Sequence, residues 1–156
     1  MVGKDALGGD ETLVSEDALC RAWNRGTRIL TGAVDAALAE VGLTAAEFEI
    51  LNALTATCSL RMVDLAELAV LTKSGATRAI QHLETQALVE RRGSGCDRRS
   101  YVVSITARGH ELWETGRAAV VRTLREQLLV FLSERDRAIL VRIYGDIVTE
   151  HEARER

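Results

Sequence analysis

Apolar positions along this chain recur mostly with a helical period, and give way to short β-branched runs near residues 88–105. The first stripe carries Leu19, Trp23, Ile29, Leu30, Val34, Leu38 and Val41, and predicts a helix of about 27 residues, roughly 40 Å long. Ser15 suits its N-cap, Glu16 and Asp17 suit its first turn, and Gly42 stands where a left-handed residue ends a helix. Thr44-Ala45-Ala46-Glu47 reads as a capping box opening a second helix, which buries Phe48, Leu51 and Leu54 and fades near Thr57. Cys58-Ser59-Leu60 is expected to be a plain connection. A third helix opens near Asp64 with Leu65, Leu68 and Ala69 inside.

At Thr72-Lys73-Ser74-Gly75 the pattern breaks and restarts. By helical phase Ala76, Ala79, Ile80, Leu83 and Ala87 share one face, and Ser74, Arg78, Gln81 and Thr85 share the opposite one, flanked by Thr77 and His82. Leu88–Arg92 and Tyr101–Ile105 predict a two-stranded hairpin, with Gly93-Ser94-Gly95-Cys96-Asp97-Arg98-Arg99 at its tip. Thr106 caps another long helix, with Leu112, Trp113, Gly116, Val120 and Leu124 on its stripe, expected to reach Phe131 or Leu132. Ser133 caps a last helix with Ile139, Leu140, Ile143 and Ile147 on one side. Residues 1–12 are Gly-rich and charged and are expected to fray.

Composition sharpens this picture at a few points. The chain has 156 residues, 47% of them hydrophobic, and no proline, which fits helices around a real core. Its net charge is −3, so attraction to nucleic acid must be local. Between Lys73 and Arg99 that local balance is positive: Lys73, Arg78, Arg91, Arg92, Arg98 and Arg99 stand against Glu84, Glu90 and Asp97. No apolar run approaches the roughly 20 residues that span a bilayer. The first residues lack the basic-then-apolar order of a secretory leader, which predicts a cytoplasmic protein with no membrane contact. Cys20, Cys58 and Cys96 are widely spaced and suggest neither a disulfide framework nor zinc, and His82, His110 and His151 share no metal spacing. No nucleophile elbow, phosphate loop or His-Glu-x-x-His stands in the chain, so an enzyme is not expected, and no cofactor is implied.

Together these elements predict a mainly α fold, a winged helix-turn-helix with a two-stranded β-wing between long N- and C-terminal helices. One domain over residues 1–156 is expected, with 43–106 binding DNA and 13–42 and 107–152 forming dimerisation helices, because their stripes are wider than one wing domain can cover. Lys73, Ser74, Gly75 and Thr77 lie near the N-terminus of the fourth helix, where phosphates bind. Arg78 and Gln81 can make bidentate contacts to guanine and adenine in a major groove. Asp97, Arg98 and Arg99 at the wing tip suit a minor groove, whose negative potential draws an inserted guanidinium. A winged helix used only for protein contacts is the rival reading.

The order and spacing of several motifs resemble the multiple-antibiotic-resistance regulator (MarR) family. They are Leu43-Thr44, Asp64-Leu65-Ala66-Glu67-Leu68-Ala69, Lys73-Ser74-Gly75-Ala76-Thr77-Arg78, Leu83-Glu84, Leu88-Val89-Glu90-Arg91-Arg92, Asp97-Arg98-Arg99 and Ser104-Ile105-Thr106-Ala107-Arg108-Gly109. The resemblance covers about Leu43 to Trp113. It implies a homodimeric transcription factor on a pseudo-palindromic duplex, commonly a repressor released by a small phenolic or lipophilic effector. It also implies that Arg99 enters the minor groove and Asp97 holds it. Trp23, Arg25, Phe48, His110 and Trp113 are the residues expected to line an effector pocket. Peroxide-sensing members carry a reactive cysteine where Cys20 stands here, but their supporting tyrosines are replaced by Asn24 and Val34. Two further departures are Ala87, where a helix-ending glycine is usual, and Cys96 in the wing.

Overall fold

The computed structural model describes residues 14–57, 59–69, 71–93 and 101–154. Six α-helices are present among them: α1 Glu16–Glu40, α2 Ala45–Thr57, α3 Met62–Leu68, α4 Lys73–Thr85, α5 Ala107–Gln127 and α6 Glu134–Arg154. Three short strands accompany them: β1 Ser59–Arg61, β2 Val89–Gly93 and β3 Tyr101–Ile105.

Each helix start has a visible cause. The Ser15 hydroxyl accepts the Ala18 N–H at 3.2 Å, opening α1. At α2 the capping box is closed both ways: the Thr44 N–H donates to Glu47 Oε2 at 2.8 Å, and the Glu47 N–H donates to Thr44 Oγ1 at 3.3 Å. Thr72 and Thr106 accept from Gly75 and Gly109 at the starts of α4 and α5. Ser133 and Asp136 form a second reciprocal box at α6.

Two helix ends turn through a left-handed residue. After α1, the Leu43 N–H reaches Leu38 O at 3.0 Å and the Gly42 N–H reaches Ala39 O at 3.1 Å, with Gly42 at φ +81°. After α4 the same pair of bonds recurs: Leu88 N–H to Leu83 O and Ala87 N–H to Glu84 O, both at 2.9 Å. There the left-handed position is filled by Ala87 at φ 56°. Ala87 therefore does not extend the buried stripe of α4, as its helical phase suggested; it is exposed and turns the chain into the wing.

The core lies where α2, α3, α4 and the sheet converge. Leu38, Ile50, Leu51, Leu54, Leu65, Ile80, Leu83 and Val103 are all essentially closed to solvent. Each such side chain contributes about 1.5–3 kcal/mol on burial. Leu68, expected inside, is 54% exposed at the end of α3, and Ala66 is buried instead, because the inner face runs through Leu65, Ala66 and Ala69.

The wing hairpin pairs as expected, with Val89 opposite Ile105 and Gly93 opposite Tyr101. A third strand joins it. Ser59–Arg61, read from sequence as a connection, pairs antiparallel with β3, giving the order β1-β3-β2. Helix α5 ends at Gln127, short of Phe131, and a 3₁₀ turn over Leu129–Phe131 leads to α6. No single described helix is long and apolar enough to cross a membrane.

The left-handed Ala87 generates a prediction. A non-glycine residue there carries a steric penalty of roughly 1 kcal/mol that glycine lacks. Ala87→Gly is expected to raise unfolding free energy by about that amount in urea titrations; a loss of stability would show that the α4–wing turn is not the one described.

Candidate nucleic-acid interface

Helix α4 is held by its apolar back and presents a polar front. Ala76, Ala79, Ile80 and Leu83 are buried, while Lys73, Ser74, Arg78, Gln81 and Thr85 are exposed and Gly75 and Thr77 are half-buried. The first turn holds no acidic residue, so the positive end of the helix dipole stays uncompensated. Thr72 and Ser74 hydroxyls lie 3.3 Å apart at this end. The Thr77 hydroxyl donates to Lys73 O at 2.8 Å, which leaves its oxygen as an acceptor only. Gly75 has a local reason: a Cβ there would stand 3.0 Å from Thr72 Oγ1, crowding the cap.

Charge pairing separates the basic residues into two groups. At the root of the wing Arg92 is bonded to Glu90 at 2.5 Å, and Arg91 faces Glu84 of α4 at 2.9 Å, an ion pair without hydrogen-bond alignment. Arg61 is held by Asp64 in a two-pronged contact at 2.7 and 2.8 Å. Among the described residues Lys73 and Arg78 have no acidic partner, and both project from the front of α4. A polar helix face with unpaired cations, set on a rigid apolar back, can lie in a major groove with its N-terminal turn toward phosphate. The wing residues Asp97, Arg98 and Arg99, together with Cys96, lie outside the described residues.

The remaining candidates fall in different places. Trp113 is half-buried; its indole N–H donates to Asn52 Oδ1 at 3.2 Å, the Arg117 guanidinium stands 5.6 Å from its ring centre, and the His110 ring meets it at 5.3 Å. Phe48 is buried nearby against α5, where Gly116 leaves room for it: a Cβ at 116 would lie 3.1 Å from Phe48 Cδ2. Trp23 is not in this group. It is half exposed on α1, with its ring 6.3 Å from that of Tyr144 on α6. Arg25 and Cys20 are also exposed on α1. A small open cavity of about 280 Å³ lies between Gln86, Leu88, Arg108 and Leu112, and none of the five expected effector-site residues lines it.

One contact was not foreseen. Glu47, the capping residue of α2, is 3% exposed, and its Oε1 meets Nδ1 of His82 on α4. Burial disfavours its charged form, yet bonds from the Thr44 N–H, the His82 ring and the Thr44 hydroxyl outweigh that and hold its carboxyl below the ordinary 4.5. The sequence carried half of this signal, the capping box, but nothing local to residue 82 points to a partner 35 positions away.

A short helix, a turn, a second helix with an exposed polar face and a β-hairpin behind it define a winged helix-turn-helix. Residues 41–100 match the model of the MarR family. Over 89% of this chain and 97% of the other, the fold superposes on AbsC, a MarR family transcriptional regulator from Streptomyces coelicolor, with 26% identity and a TM-score of 0.77. Sco3205 of the same organism, a MarR family regulator solved in complex with DNA, is 23% identical with a TM-score of 0.79, over 85% of this chain and 88% of that one. BpsR of Bordetella bronchiseptica, whose DNA binding is regulated by 6-hydroxynicotinic acid, is 22% identical with a TM-score of 0.67, over 85% and 96%. Curated protein sequences gave no match. The winged helix-turn-helix of this chain is thus similar to that of MarR family transcriptional regulators, by the match over residues 41–100 and the likeness to AbsC.

The depressed Glu47 carboxyl has a pH consequence. Its folded value is below its unfolded one, so its contribution to stability is full above about pH 4.5 and is lost as pH falls through the folded value. The gap in melting temperature between the wild type and Glu47→Gln should therefore be largest near neutrality and shrink in acid. A gap that stays constant down to acid pH would contradict this.

Proposed function

We propose that this chain binds duplex DNA as a homodimer through α4 and the wing, acting as a transcriptional repressor released by a small aromatic effector. The observation that carries the DNA reading is the exposed front of α4, where Lys73 and Arg78 stand, without acidic partners among the described residues, beside Ser74 and Gln81. Lys73, Ser74, Gly75 and Thr77 would meet phosphates at the helix N-terminus, and Arg78 and Gln81 would reach base edges. Asp97, Arg98 and Arg99 would serve the minor groove. The DNA-bound structure of Sco3205 supports the reading by likeness of fold.

Pairing of two copies is supported by the apolar surface left on the flanking helices. Leu19, Trp23 and Ile29 on α1, Phe131 in the 3₁₀ turn, and Ile143 and Ile147 on α6 are each 40–79% exposed. Large apolar side chains exposed together mark an interaction surface, and a two-fold partner would cover the same patch on both copies. Two α4 helices would then face successive major grooves, about 34 Å apart. An effector would be met by the Trp113–His110 group near Phe48; BpsR supports this half by its response to an aromatic acid.

DNA selected from a random pool supplies the operator for the test. Arg78→Ala should lose about tenfold or more of the preference for operator over random duplex. Lys73→Ala and Arg99→Ala should weaken both duplexes alike, Lys73→Ala lowering the salt slope by about one. Wild-type affinity that does not respond to salt would favour the protein-contact reading instead. In the same titration an aromatic acid should release the wild type and fail on Trp113→Ala; release of both would remove Trp113 from the effector site. Sedimentation at micromolar concentration should show twice the chain mass, and Ile143→Glu with Ile147→Glu should give a single chain mass; a monomeric wild type would rule out the pairing.

A further inference from the structure

We propose that His82 is a positioning residue for sequence discrimination: clamped to the buried Glu47, it fixes the roll of α4 against α2 and so aims Arg78 and Gln81. The inference rests on the DNA-binding reading above and adds to it a residue that need not touch DNA.

The clamp is a chain of four polar groups. Glu47 Oε2 is occupied by the Thr44 N–H at 2.8 Å and the Thr44 hydroxyl at 2.9 Å, so this carboxylate cannot swing without opening the first turn of α2. That leaves Oε1 for His82 Nδ1. Gln86 Nε2 lies 3.1 Å from His82 Nε2 and 3.4 Å from its Nδ1. An ionised carboxylate can only accept, so the ring carries a proton on Nδ1 and gives it to Glu47. Gln86 is the C-cap of α4, directly before the left-handed Ala87. The chain Thr44–Glu47–His82–Gln86 thus joins the start of α2 to the last turn of α4.

Apolar packing alone does not supply this control. The back of α4 is Ala76, Ala79, Ile80 and Leu83, and three-dimensional burial of such side chains is non-directional. A hydrogen bond is directional and fails within a few tenths of an ångström. A roll of about 10° about the axis of α4 moves a side-chain tip by about 1 Å, given the radius of a helix with its side chains. That displacement breaks a bidentate base contact but leaves a phosphate within reach of a flexible lysine. Arg78 lies one turn before His82 on the same helix, and Gln81 is its chain neighbour, so both move with it. Breaking the clamp also strands a buried carboxylate oxygen, so the state without it is penalised rather than neutral.

The test compares binding to the selected operator and to random duplex. His82→Ala is expected to lower the preference for operator by about tenfold while leaving random-duplex affinity and salt slope unchanged. His82→Asn, whose amide N–H can stand where Nδ1 stands, is expected to restore the preference to within about threefold of the wild type. In a Glu47→Gln background His82→Ala should add almost nothing, since the two act through one contact. An unchanged preference in His82→Ala overturns the inference, as does an equal loss on both duplexes, which would make the ring a phosphate contact. Multiplying losses in the double variant, or failure of His82→Asn to rescue, would equally overturn it. A wild-type chain that prefers no duplex at all overturns the DNA-binding reading, and the inference with it; a discriminating wild type matched by His82→Ala overturns the inference alone.

Discussion

The carbonyl of Leu88 is where the reader and its frame are joined. It accepts the Thr106 N–H at 3.0 Å and lies 3.1 Å from the Thr106 hydroxyl, which also reaches Ala87 O at 2.9 Å and caps α5 through the Gly109 N–H. The turn that ends α4 and the turn that begins α5 are therefore one hydrogen-bonded knot. Gly109 makes it feasible: a Cβ there would lie 2.0 Å from Leu88 O. A shift of α5 is passed through this knot to α4 and the wing root, beside the packing of α5 on α2 at Gly116 and Phe48.

Charge is distributed to suit this arrangement. The chain is acidic overall, and the wing-root arginines are already spoken for by Glu84 and Glu90. Arg91 with Glu84 ties β2 back to α4, so part of the local positive charge holds the wing in place rather than facing outward. The cations of α4 itself are left to work on a partner. In the proposed dimer a second copy would raise affinity by effective concentration without any new contact. The apolar flanks of α1 and α6 are the corresponding cost in solubility for a lone chain.

Much of the fold was legible because its signals are local. The caps at Ser15, Thr44, Thr106 and Ser133, the stripe of α4 and the polar face opposite it were all readable from residue type and spacing. What escaped depends on contacts distant in sequence. Ser59–Arg61 is too short to show an alternating pattern and becomes a strand only because β3 is beside it. Leu68 has a phase compatible with burial, but α3 turns Leu65, Ala66 and Ala69 to the core and leaves Leu68, its last residue, on the open side. Ala87 fits the α4 stripe by count, but the chain has already reversed there. The Glu47–His82 contact has no local signature, and Trp23 was grouped with Trp113 by residue type although the fold sends it toward Tyr144.

The central claim is that two copies of α4 read one duplex. Hydroxyl-radical footprinting of the selected operator addresses it directly, since it maps backbone protection base by base. The account predicts two symmetric protected patches on one face of the duplex, their centres separated by about one helical turn. A single patch, or protection spread evenly along the duplex, would contradict it.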